Sequence, residues 1–212
     1  MARRSKRLPD PEGSIAFTVE EMCKAEIDAA IDSFVLSRNL IASHVLASAA
    51  HDVMRGHASR VGASLRADLS ANMARLSSHQ NKIVLDTMAH FYNSMKHSNS
   101  NEVAVTIHPT IVESTIYCAA QEHGWLFKKL SARMVTFIAW FTVVKPALLD
   151  ENGNKPSVLV NAFPSALLQA PRSEQMKELK QAIAKIMEDS GGPEQSQDAF
   201  DVSDLWSPAD GG

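Results

Sequence analysis

Met134 to Val144 reads MVTFIAWFTVV, eleven residues without a charge, and this run limits the chain's options more than any other. It is far short of the roughly 20 apolar residues that a membrane span requires, so it is expected to lie inside a folded core. The run stops just before Pro146, whose ring opposes continuation of a helix. We therefore read a buried helix, no membrane segment, and a chain built around packed helices.

The rest of the sequence agrees with that class. Aromatics are 6% of the residues and charged residues 21%, while the apolar fraction is 45%, dominated by Ala, Leu, Val, Ile and Met. Such side chains favour helix packing over a sheet, where branched and ring residues lead. The expected fold is an all-α bundle of about five to six helices with disordered termini. Residues 1–17 form a flexible basic arm, 18–188 the bundle, and 189–212 a disordered acidic tail.

Helix by helix, the signals are local. Thr18 reads as an N-cap, with Glu20 and Glu21 in the first turn. Met22, Ala25 and Ala29 give that helix its apolar row, with Ile27, Ile31 and Phe34 less cleanly placed. In the second helix Ile41, Val45, Ala49 and Val53 make one apolar row, and Leu46, Ala50 and Met54 widen it. A long third stretch runs from about Ala67 to His97, followed by a polar loop. A fourth helix opens at Pro109–Thr110 and ends near Gly124. The fifth holds the buried run. After the turn DENGNKP comes a short helix broken at Pro164, and Pro171 and Ser173 open the last helix, with Met176, Leu179, Ile183 and Ile186 on one face.

Charge restricts the possible partners. The net charge is −3, but Arg3, Arg4, Lys6 and Arg7 all fall in the arm. Setting them aside leaves 17 basic against 24 acidic residues, a balance of −7. An acidic body does not suit broad, nonspecific contact with nucleic acid. Cys23 and Cys118 stand alone, with no CxxC, and read as reduced, buried residues of a cytoplasmic protein.

Two polar stripes are the candidate chemistry. His44, Ser48, His51 and Arg55 follow steps of four, three and four, and so do Asp86, His90, Asn93 and His97. If the two helices pack antiparallel, the stripes meet in a cleft of groups titrating near neutral pH, suited to acid–base work or phosphate contact. The plain alternative is that both stripes face water. Histidines seven apart do not share a metal within one helix, and no i, i+4 histidine pair exists, so neither metal nor cofactor is expected. Lys96 and His97 also suit a helix C-terminus without any function.

The element Asn93-Ser-Met-Lys96-His97 is similar to the N-x-x-K-H-[AS] motif of a group of uncharacterised helical proteins. The segment SHVLASAAHDV and the aromatic helix FIAWF ending at KPAL resemble parts of the same group, in the same order, over about residues 20–150. That group resembles a divergent branch of the HEPN superfamily. The resemblance implies a compact helical bundle, a homodimer, and RNA or a nucleotide as ligand, contacted by His44, His51, Asn93, Lys96 and His97. Active members are metal-independent ribonucleases, in which His97 and Asn93 would be the catalytic pair. Their motif arginine is Tyr92 here, and a phenol does not stabilise phosphate charge as a guanidinium does. The expectation is a non-catalytic binding module. The alternatives are an endoribonuclease using His97 and a protein-interaction scaffold without a small ligand. The acidic-apolar stretch Phe200–Trp206 fits a partner groove or the chain's own surface.

Overall fold

The computed structural model describes residues 15–60, 86, 106–146, 162–189 and 199–201. Among these, five α-helices carry the fold: α1 (Val19–Val35), α2 (Leu40–Arg60), α3 (Pro109–Phe127), α4 (Ala132–Val144) and α5 (Arg172–Asp189). A 3-10 turn, Ser165–Gln169, precedes α5, and two three-residue strands, β1 (Lys129–Ser131) and β2 (Ala199–Asp201), form an antiparallel pair. The all-α expectation holds.

Local chemistry sets the helix ends. Thr18 makes a full capping box: the Glu21 amide donates to Thr18 Oγ1 at 3.1 Å, and the Thr18 amide donates to Glu21 Oε2 at 2.7 Å. The α1–α2 turn is tight, and the Asn39 side chain accepts from the Ala42 amide at 3.0 Å to open α2. α3 starts at Pro109 as expected, but runs past Gly124 to Phe127. A glycine inside a helix is a cost, not a stop. What ends α3 is Lys128, in the left-handed conformation at φ 58°. Ser131 then caps α4, accepting from the Met134 amide at 3.2 Å.

The run that opened the sequence argument is the centre of the core. Phe137, Trp140 and Phe141 of α4 are fully enclosed. Phe137 meets Phe34 of α1 edge-on, with ring centroids 6.0 Å apart, and Tyr117 of α3 stacks on Phe141 at 4.4 Å. The Trp140 indole N–H donates to the Gln175 carbonyl at 3.0 Å, which ties α5 to α4. Leu179 and Ile183 of α5 are fully buried, as their spacing implied.

The first two helices are turned relative to the sequence reading. In α1, Cys23, Ile27, Ala30, Ile31 and Phe34 are buried, whereas Met22, Ala25 and Ala29 face out. Ile27, Ile31 and Phe34, the less cleanly placed residues of the sequence reading, take the core together with Cys23 and Ala30, while Met22 stays outside. In α2, Ile41 is 56% exposed and Val45 also faces solvent, while Ala47, Ala50, Met54 and Ala58 are buried. The face with the small residues packs closest, and with it go Ser43, His44 and Ser48. The proposed third helix lies outside the described residues, apart from Asp86, which is helical and exposed. The turn DENGNKP also lies outside them. Of the expected disordered tail, Ala199–Asp201 departs from that reading by pairing with β1.

Candidate functional site

α3 is the helix on which the site is built. Every residue from Val112 to Gly124 is buried, including Glu113, Ser114, Thr115, Gln121, Glu122 and His123. Polar side chains in such a helix need partners from its neighbours.

α2 supplies two of them. His44 is fully buried, and its Nδ1 lies 3.1 Å from Thr115 Oγ1. His51 Nδ1 lies 2.5 Å from Glu122 Oε2. Both contacts join residues 71 apart in sequence, so α2 and α3 advance in the same direction, in register over two turns, about 10.5 Å of rise. His44 and His51 therefore lie on the seam between α2 and α3, while Arg55 of the same stripe is exposed.

The two histidines have different prospects. His44 is enclosed, with Ser48 Oγ 3.5 Å from its Nε2, and an imidazole with no exposed surface has nothing to offer a phosphate. Its expected ligand-binding role is corrected to one in the packing. His51 keeps 14% of its side chain exposed, while Glu122 keeps 1%. With Nδ1 held by Glu122, Nε2 on the other side of the ring is the group that His51 can present.

Electrostatics sharpen the contrast. Burial pushes the Glu122 carboxyl above its ordinary range, against the pull of His51 and Arg55. Burial works to lower His51, but the charge and hydrogen bond of Glu122 outweigh it and hold the imidazole above its ordinary value. The pair is thus a proton-holding dyad at the edge of the core. Among the described residues Glu122 Oε1 finds no hydrogen-bond donor, and neither does the buried Glu26 Oε2 on α1. Burial, with Glu26 and Glu122 adding to it, pushes the Cys23 thiol up to about 12, and Cys118 is raised in the same way. Neither thiol is therefore a nucleophile near neutral pH.

A second buried carboxylate, Glu113, is clamped between Arg172 of α5 and Lys145 at the end of α4, with Lys145 Nζ at 3.5 Å. Arg172 also lies over the Trp140 ring, 4.9 Å from its centroid. This cluster joins three helix ends and reads as structural.

Sequence reasoning singled out His51 but not its partner Glu122, nor Glu113 or Thr115. The available signal was two carboxylates inside a stretch with no other acidic residue and no Lys or Arg, TIVESTIYCAAQEHGW. Charges there are rarely buried unless paired. Asn93, Lys96 and His97 lie outside the described residues, so the structure does not relate them to His51. Among the described residues no group of three or more His, Cys, Asp or Glu is arranged to hold a metal, and no helix is long and apolar enough to cross a membrane. No protein-family model, curated protein or solved structure gives a significant match to this chain.

Proposed function

We propose that this chain is a non-catalytic, HEPN-like binding module for a phosphate-bearing ligand, RNA or a nucleotide. The observation that supports the reading is His51: part-exposed, gripped at Nδ1 by the buried Glu122, and one helical turn from the exposed Arg55. A held imidazole and a guanidinium at i, i+4 offer donors to one phosphate from one helix face. Asn93, Lys96 and His97 would extend the same surface. Fluorescence polarisation with labelled oligoribonucleotides and with a labelled ATP analogue tests the reading. His51→Gln and Arg55→Ala are each expected to weaken binding about tenfold, the scale of one lost charge-assisted hydrogen bond. No binding by the wild type, or equal binding by all three proteins, overturns it.

A homodimeric scaffold is the second reading, supported by the solvent-facing apolar residues Leu36, Ile41 and Val45 at one end of the α1–α2 hairpin. Light scattering across a concentration series tests it. A dimer that Ile41→Lys/Val45→Lys converts to monomer supports the scaffold, and a monomer at every concentration excludes it.

A further inference from the structure

β1 is a three-residue connector between α3 and α4, and its backbone is paired with the chain's own C-terminal segment. The register sets Lys129 against Asp201, Leu130 against Phe200 and Ser131 against Ala199. The connector is well supported from behind. The Lys129 carbonyl accepts from His123 Nδ1–H at 2.9 Å, Leu130 is buried, and Ser131 Oγ–H donates to the buried Asp28 of α1. Lys129 Nζ also lies 3.1 Å from Glu20. A rigid strand held on one side therefore offers pairing on the other.

Its occupant, Ala199–Asp201, lies in the sequence QDAFDVSDLW, where aspartates are interspersed with apolar residues, and Asp201 falls opposite Lys129, with Lys128 next in sequence. Phe200 is half exposed, so the seated segment is not locked into the core. Its tether is short: residues 190–198 separate α5 from β2. A tether of that length gives an effective local concentration of about millimolar, enough to keep a weak dock occupied by its own chain.

We infer that β1 is a strand-addition dock for an extended acidic-apolar peptide, and that the chain's own tail occludes it in cis. The partner is a protein presenting a strand of that chemistry, and it binds when the tail is displaced. Main-chain pairing supplies affinity, and Lys128, with Lys129 turned from Glu20 toward the incoming strand, selects acidic sequences. The site is separate from His51 and does not depend on the proposed function.

The test uses the full chain and a fluorescein-labelled peptide of sequence QDAFDVSDLW. Phe200→Pro in the protein removes the ring and a strand N–H from the resident tail while leaving the dock intact. Peptide binding followed by polarisation is expected to be at least about tenfold tighter for Phe200→Pro than for wild type, because the internal competitor is gone. A peptide with lysine in place of its aspartates is expected to lose that binding. Equal affinity for the two proteins, no binding to either, or undiminished binding of the lysine peptide overturns the proposal. Light scattering on the same samples separates a partner strand from exchange of tails between copies. Dimerisation of wild type that Phe200→Pro abolishes would assign the dock to a second copy and overturn the partner-protein reading.

Discussion

His51 Nδ1 and Glu122 Oε2 sit 2.5 Å apart, joining α2 to the long buried stretch of α3. Seven residues earlier on each helix, His44 meets Thr115. The two contacts fix both the rotation of α2 and its direction along α3, and the expectations below follow from that arrangement.

The rotation of α2 is testable by substitution on its two faces. Ile41→Lys is expected to change stability by no more than about 0.5 kcal/mol, since the position faces water. Ala50→Leu on the opposite face is expected to cost about 1–3 kcal/mol by overpacking against α1 and α3. Urea denaturation of the two variants checks the ordering, and the reverse ordering would restore the rotation read from the sequence.

Protonation of the two partnered histidines is expected to diverge. His51 is held above its ordinary 6.5 because the carboxylate opposite outweighs burial, and His123 is held below 6.5 because burial dominates its two backbone contacts. The raised group favours the fold below the unfolded value of 6.5, and that contribution is lost as pH rises through the higher folded value. The lowered one acts in the opposite sense, costing stability as pH falls below 6.5 toward its folded value. NMR titration of the imidazole protons reads both directly. In His51→Gln the loss of stability between neutral and alkaline pH is expected to shrink.

Ser131 links two helices with one hydroxyl. It caps α4 through the Met134 amide and donates to Asp28 of α1. Ser131→Ala is expected to cost about 2 kcal/mol, the sum of a lost cap and a buried carboxylate left short of a donor. Thermal unfolding measures it, and a loss under about 0.5 kcal/mol would show that the hydroxyl joins nothing.

Among the described residues, helix existence and most helix starts were legible because they rest on adjacent residues. Thr18 with Glu21, Pro109 and Pro146 speak without knowledge of the fold. Which side of α2 turns inward was legible only in part: Ala50 and Met54 were placed on the apolar face and are buried, but so were Ile41 and Val45, which are exposed. Hydrophobicity favoured Ile41 and Val45, but close approach of helices favoured Ala47 and Ala50, and the polar side chains beside those alanines were then buried with partners on α3. Those partners, Thr115 and Glu122, lie 71 residues away, and nothing local to His44 or His51 marks them. Likewise, the end of α3 depended on the left-handed Lys128 and not on Gly124, a difference that composition does not signal.

A double-mutant cycle on His51 and Glu122 is the most direct measurement. Stabilities of wild type, His51→Ala, Glu122→Ala and the double variant give the coupling between the two side chains. The arrangement described here calls for a coupling of about 2 kcal/mol, below the range for a fully buried pair because His51 retains some exposure. Effects that add to within about 0.5 kcal/mol would mean that the two groups do not touch, and the register of α2 on α3 would have to be abandoned.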